Sequence, residues 1–411
     1  MNRRTFLNGM LGGFALTQLP ACNFSFEQGI FNPCLSPLPS GVAGHPLVKR
    51  AWQGLKAEAV WDCHVHLFGN GRSGSGIWVN PDFDNPRTIG SIARHAMFAN
   101  GGCLGNDETR WDERMVERVT QQVDELPHGV KVMLLAFDFT HDPDGSRRDD
   151  LTTFSVPNEY AAKVAKSRPD RFEWIASVHP YRKDALAALD GCKANGARAV
   201  KWLPPSMGID LASAQCIPFY QALKRLNLPL LTHVGKELSV EGAQHEDFGH
   251  PLALRHPLDH GVRVIAAHCA SLGESPDRDA AGDRAKTPRV DNFALFTRLM
   301  GEPRNEKLLF GDISALTQLN RAYTISTVIG NQAWHPRLLN GSDYPLPGIM
   351  PLFSLDHFVR QGLLEEGHVS ILREIRKHNA LLFDFVLKRS LRAGGAGIPA
   401  GVFETRRFFL D

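Results

Sequence analysis

From Ala59 onward the chain alternates short, almost continuously apolar runs with polar or Gly/Pro-marked loops and helix-like segments, eight times over. The runs are Ala59–Leu67, Val130–Phe139, Phe172–Pro180, Ala197–Leu203, Leu228–Val234, Arg263–Cys269, Leu308–Ala315 and Arg337–Asp343. Runs this short and apolar fit strands buried on both faces, as in a parallel sheet. The segments between them carry helical spacing. Trp111, Met115, Val119, Val123 and Leu126 fall on one stripe, and Phe219, Leu223 and Leu226 on another. Leu186 and Leu189 belong to a third helix, which Gly196 would stop.

Eight strand–helix units predict an α/β fold closed into a (β/α)8 TIM barrel. An open doubly wound sheet is the competing architecture. Against it, no GxGxxG follows the first strand, where Cys63-His64-Val65-His66 stands instead. The extra length in Phe68–Trp111 and Ser271–Val290 predicts long loops after the first and sixth strands, overhanging the face where barrels keep their chemistry.

The remaining segments divide the chain. Residues 1–21 read as an export signal: Arg3-Arg4-Thr5-Phe6-Leu7 resembles a twin-arginine motif, and an apolar stretch runs from Met10 to Leu19. Leu19-Pro20-Ala21-Cys22 resembles a lipobox, which makes Cys22 a lipidation site and implies a bacterial periplasmic or membrane-anchored lipoprotein. A cytoplasmic protein with a frayed basic tail is the alternative. The apolar stretch is shorter than the roughly 20 residues a spanning helix needs. Residues 22–58 form an N-terminal extension, 59–390 the barrel, and 391–411 a C-terminal tail.

Charge and cysteine usage exclude several classes. Lys and Arg number 46 against 44 Asp and Glu, a formal charge of +2 that gives no basic footprint for nucleic acid. The seven cysteines (Cys22, Cys34, Cys63, Cys103, Cys192, Cys216 and Cys269) include no CxxC pair, which excludes a zinc ribbon. Export would permit disulfides, but spacing does not say which cysteines pair.

The strand ends carry the chemistry. Alternation places His64 and His66 on one side of the first strand with Asp62 below them, and turns Cys63 and Val65 toward the helices. The fourth run ends Ala199-Val200-Lys201, the fifth Leu231-Thr232-His233, the sixth Ala266-Ala267-His268 and the eighth Gly341-Ser342-Asp343. One histidine at such a place can be a hydrogen-bonded core residue. Four histidines, a lysine and an aspartate, all at C-terminal strand ends, make a ligand set for a divalent cation. Asp62 is a candidate for orienting an imidazole.

This order of residues resembles the amidohydrolase superfamily of metal-dependent barrel hydrolases. The likeness runs from Ala59 to about Leu387. The segment His378-Asn379-Ala380-Leu381-Leu382-Phe383 also resembles the last helix of the amidohydrolase-related branch that includes aminocarboxymuconate semialdehyde decarboxylase. The resemblance implies that His64, His66 and Asp343 bind one divalent ion. It implies that His233 and His268 hold a second ion, or that one of them binds the first while the other acts as an acid or base. Lys201 matches a lysine that bridges two ions when carboxylated; an uncarboxylated Lys201 would instead hold an anionic substrate or a carboxylate.

Zinc is the expected metal, as one ion or two. Asp343 and His268 are then the candidate catalytic acid–base residues. The expected activity is hydrolysis of an ester, lactone, amide or related bond in a small molecule. A mononuclear-metal decarboxylase is the alternative. His179, Trp202 and Tyr344 are candidate substrate-binding residues, with Tyr181, Arg182, Phe137, Phe139 and His141 as weaker ones. His245, His250, His256 and His260 read as surface residues. No nucleic-acid partner is expected, and membrane contact only through a lipid anchor. A homo-oligomer is left open.

Overall fold

The computed structural model describes residues 24–410 except 85, 241, 244 and 282–286. The twin-arginine motif, the apolar stretch and Cys22 lie outside the described residues. Each of the eight apolar runs contains a strand: β1 (Trp61–His66), β2 (Lys131–Leu135), β3 (Phe172–Ile175), β4 (Val200–Trp202), β5 (Leu230–His233), β6 (Val264–Ala267), β7 (Leu309–Asp312) and β8 (Leu338–Leu339). They form two parallel sheets, β1-β2-β3 and β4-β5-β6-β7-β8. Parallel bridges between Ala176 and Val200 and between Val65 and Tyr344 join the sheet edges into a ring. At the first seam Lys201 N donates to Ala176 O at 2.7 Å; at the second His66 N donates to Tyr344 O at 2.9 Å and Asp343 N to His64 O at 2.8 Å. The fold is an α/β TIM barrel.

Two cores follow from strand alternation. Met133 and Leu135 of β2 point into the barrel beside Trp61, Ile175, Leu231 and Ile265. Val132 and Leu134 point outward, against the helices. The helix Trp111–Asp124 shows why the sequence folds this way: Trp111, Met115, Val119 and Val123 are buried, while Asp112 and Glu113 place negative charge in its first turn, where the helix dipole favours it. Helices Ala185–Ala194 and Ile217–Arg225 occupy the other expected stretches. Leu186 is not part of a buried stripe; it is exposed, and Leu189 carries the packing.

The flanking segments are built into the barrel. The C-terminal segment plugs its floor: Phe408 and Phe409 join the interior cluster, Phe408 meets Phe310 edge-to-face at 4.5 Å, and Asn340 N donates to Val402 O. The N-terminal extension packs beside the loop after β1. Asn32 N donates to Asn100 Oδ1 at 2.7 Å, and Cys34 is disulfide-bonded to Cys103. That long loop contains helix Ile89–Gly101, capped by Thr88. The loop after β6 carries an antiparallel hairpin of Glu274–Pro276 with Arg289–Asp291. No helix among the described residues is long and apolar enough to cross a membrane.

Candidate metal centre

A β-bulge sets the aim of the first two histidines. The pairing of β1 with β2 shifts register between Asp62 and Val65, so alternation is interrupted there. Cys63 therefore packs inside the barrel with Trp61 and Met133, contrary to simple alternation, while Val65 faces the helices. His64 and His66 still point the same way. Asp62 does not reach an imidazole: it accepts from His64 N at 3.0 Å and Ser342 N at 2.8 Å, which fixes the backbone where β1 meets the end of β8.

The expected ligands converge at the C-terminal end of the barrel. His64 Nε2 lies 3.4 Å and His66 Nε2 3.2 Å from Asp343 Oδ1, and His268 Nε2 lies 3.7 Å from Asp343 Oδ2. Lys201 Nζ is 3.2 Å from His64 Nε2. His233 stands edge-on to His268 with ring centroids 5.5 Å apart, and its Nε2 is 3.4 Å from Glu237 Oε2. The first-strand histidines and Asp343 offer three donor atoms within 4.8 Å of one another. All six side chains line one narrow cavity of about 70 Å³.

The residue that organises this site is Asp312, at the end of β7 and fully buried. Its Oδ2 accepts from His64 Nδ1 at 2.9 Å; its Oδ1 accepts from His268 N at 2.8 Å, from Ser314 N at 3.1 Å and from Ser314 Oγ. His268 Nδ1 lies 2.7 Å from Ser314 Oγ. With both Nδ1 atoms engaged at hydrogen-bond distance, His64 and His268 turn their Nε2 atoms to the cavity, and Asp312 serves as orienter. The sequence reading examined the seventh run without singling out Asp312. The signal was there: Gly311-Asp312 closes an apolar run just as Ser342-Asp343 does.

Backbone strain contributes to the aim. His268, Cys269 and Ala270 have φ of 55°, 50° and 54°, and Asp343 has φ of 60°, left-handed values that L-residues adopt at a cost of about 1–3 kcal/mol each. The strained residues are two of the ligands and the turn that carries one of them.

Burial sets the charge states. It pushes His66 and His268 below the ordinary histidine range and His233 down to about 4, so these imidazoles are neutral at pH 7 with a lone pair available. For Asp343 burial raises the pKa, but the facing His268 and His64 and the hydrogen bond from His66 outweigh it and hold the carboxyl well below its usual value. Burial lowers the Lys201 amine against the pull of Asp312 and Asp343.

The substrate-binding candidates are placed elsewhere. His179 is buried, with its Nε2 on Met207 O at 2.9 Å and its Nδ1 accepting from Tyr181 N at 3.2 Å. Trp202 is sealed behind β4 against Phe219, with Nε1 donating to Val178 O at 2.8 Å. Tyr344 is buried, and its hydroxyl accepts from Gln122 Nε2 at 3.0 Å. The cavity is walled by residues the sequence reading did not single out: Phe68, Phe83, Phe98 and Phe154 on one side, Gln318 and Arg321 among its polar groups. Phe137, Phe139, His141 and Arg182 line a separate groove. His250 is buried, with its ring at 2.7 Å from Pro276 O, and is not a surface residue.

The amidohydrolase family profile matches residues 61–324, and the chain belongs to that family. No curated protein matches it in sequence. Among solved structures, it is similar to a TIM-barrel protein of Bordetella bronchiseptica at 16% identity and a TM-score of 0.45, over 76% of this chain and 94% of the other. It is similar to the 5-carboxyvanillate decarboxylase of Novosphingobium aromaticivorans, which was solved with manganese, at 14% identity and a TM-score of 0.44, over 79% and 94% of the chains. It is also similar to the 4-oxalomesaconate hydratase of Rhodopseudomonas palustris at 16% identity and a TM-score of 0.40, over 69% and 81%.

Proposed function

We propose that this protein is a metal-dependent hydrolase acting on an ester, lactone, amide or related bond of a small molecule. The observation that carries this reading is the convergence of six donors on one cavity, with Lys201 Nζ beside His64 Nε2 and His233 Nε2 buried without a hydrogen-bond partner. An orphaned, neutral imidazole nitrogen aimed into a cavity of other donors fits a cation. His64, His66 and Asp343 would hold one divalent ion, and His233 and His268 a second. Lys201, whose hydrogen bond goes to an imidazole and whose burial favours the neutral amine that adds carbon dioxide, would bridge them as a carbamate. Zinc is the proposed metal, since imidazole and carboxylate donors suit it. Bound there, it would supply Lewis acidity and a water whose pKa falls to roughly 7.

The chain's own groups then manage the protons. Asp343, ionised and 3.7 Å from His268 Nε2, takes a proton from the attacking water. It hands the same proton to the leaving oxygen or nitrogen as the bond to carbon breaks, so the water is divided between the two products. His268, neutral and held at Nδ1 by Ser314, is the second group that can relay a proton. The phenylalanine wall excludes bulk water from the acyl group.

The competing reading is a decarboxylase with one ion. One observation favours it: His64, His66 and Asp343 form a compact set by themselves, while the nearest carboxylate to His233 is Glu237. Metal counting on the purified protein, with carbon-13 NMR after incubation in labelled bicarbonate, separates the two. Two ions per chain and a carbamate resonance lost in Lys201→Ala support the hydrolase. One ion and no such resonance support the decarboxylase.

We also infer that the protein is exported and lipidated at Cys22. The Cys34–Cys103 disulfide, close behind that cysteine, supports this, because such bonds persist in oxidising compartments. Membrane association that survives Cys22→Ser would count against the anchor.

A further inference from the structure

The cavity has polar groups that the hydrolytic scheme leaves idle. Gln318 and Arg321 lie on the turn after β7, where Gln318 O accepts from Arg321 N at 2.9 Å and Ala322 N at 2.8 Å. Both side chains line the same cavity as His233, His268 and Asp343, and they are only 5% and 7% exposed. Arg321 Nη1 donates to Ser271 Oγ at 3.1 Å. Its Nε and the Nε2 of Gln318 are buried donors without a hydrogen-bond partner among the described residues. Leaving a buried donor unsatisfied costs about 1–3 kcal/mol, more for a charged group. Two such donors on one cavity wall are satisfied most simply by an acceptor that enters with the ligand.

The acceptor's charge follows from its surroundings. Arg321 feels Glu237 and Asp343, yet forms no ion pair with a carboxylate among the described residues. Glu237 Oε1 is already committed, accepting from Ser239 N at 2.5 Å and Val240 N at 2.9 Å. A planar guanidinium with free donors matches a carboxylate better than any neutral acceptor. The rest of the molecule that bears it meets an apolar surface. Phe68 stands 6.2 Å from Phe83, 5.9 Å from Phe98 and 6.1 Å from Phe154 between ring centroids, in tilted and edge-on arrangements that accept a further ring.

We propose that Arg321 and Gln318 form a carboxylate subsite, and that the substrate is a small carboxylate with an aryl or similarly flat apolar body lying against the phenylalanine wall. This rests on the hydrolase reading only in sharing its cavity; the subsite is made by residues that hold no metal.

Benzoate and its neutral counterpart benzamide are suitable probes, measured by calorimetry on the whole chain with metal content determined in parallel. Benzoate is expected to bind wild-type protein at least about tenfold more tightly than benzamide, a difference of about 1.4 kcal/mol. Arg321→Met should erase that preference and leave benzamide binding unchanged, and Gln318→Leu should reduce it. Arg321→Lys, which keeps the charge but not the fork, should fall between and serves if the methionine variant does not fold. His64→Ala should keep the preference. Absence of saturable benzoate binding, or an unchanged preference in Arg321→Met, overturns the subsite. So does loss of the preference in His64→Ala with retention in Arg321→Met, which places the carboxylate on the metal ligands. A preference that persists in protein found to bind no metal sustains the subsite and sinks the hydrolase.

Discussion

Asp312 Oδ2 lies 2.9 Å from His64 Nδ1, with both side chains fully buried. This one contact fixes which nitrogen of His64 carries the proton, and so leaves Nε2 as a lone pair facing Asp343 and Lys201. Asp312 is ionised despite burial: desolvation raises its pKa, but His64, His268 and Ser314 together hold it far below the ordinary carboxylate range. Asp312→Asn keeps the shape and removes the charge. It should weaken metal affinity by about 10–100-fold, as loss of an outer-shell partner does, while the fold persists. Competition with a chromogenic chelator measures this directly. Equal affinity in the variant would show that Asp312 is not the orienter.

His179 gives the protein a pH-sensitive stability that lies outside the metal site. Its Nε2 donates to Met207 O and its Nδ1 accepts from Tyr181 N, so a second ring proton would face an N–H donor. Burial lowers its pKa to about 3, against the pull of the Met207 carbonyl. The unfolded chain protonates near 6.5, so below that pH it binds a proton that the folded chain refuses. Stability is therefore complete above about 6.5 and falls as pH drops toward 3, by several kcal/mol in total. Urea denaturation across this range should show the slope in wild type and a shallower one in His179→Gln.

The Cys34–Cys103 bond closes a loop of 69 residues' separation and ties the N-terminal extension to the end of helix Ile89–Gly101. Chain-entropy arguments give such a loop about 4 kcal/mol. The same helix carries Phe98 to the cavity wall. Reduction, or Cys34→Ser, should lower the thermal midpoint and raise KM more than it lowers kcat, since the wall loosens while the ligands stay on the strands. An unchanged KM would mean that the wall is held by its other contacts.

Much of this arrangement was legible in the sequence because barrel strands are both short and apolar throughout. All eight runs contain strands, and the six donors project from their ends into one cavity. What could not be read depends on partners distant in the chain. The bulge that turns Cys63 inward comes from the pairing of β1 with β2, some seventy residues on. Trp202 and Tyr344 sit beyond strand ends as a pocket residue would, but tertiary packing against Phe219 and Gln122 claims them. Phe83 and Phe98 reach the cavity through the fold of a long loop, which periodicity does not encode. The pairing of Cys34 with Cys103 is likewise a fact of three dimensions.

Gly341 precedes the strained Asp343 by two residues, and its smallness is required by the first strand. A Cβ built on Gly341 would meet His64 Cβ at 2.7 Å and Ser314 Cβ at 3.3 Å. Both neighbours belong to the network that orients the ligands, and neither contact is the far end of a flexible side chain. Gly341→Ala must therefore move β1 away from the end of β8, or displace His64 from Asp312. Overpacking of this kind costs about 1–3 kcal/mol. The expected result is a folded protein of lowered thermal midpoint whose metal affinity falls along with its activity. Because Gly330 has open space around its own Cβ position, Gly330→Ala is the matched control and should leave metal affinity unchanged. If Gly341→Ala binds metal as tightly as the control does, the close approach of these two strands does not position His64.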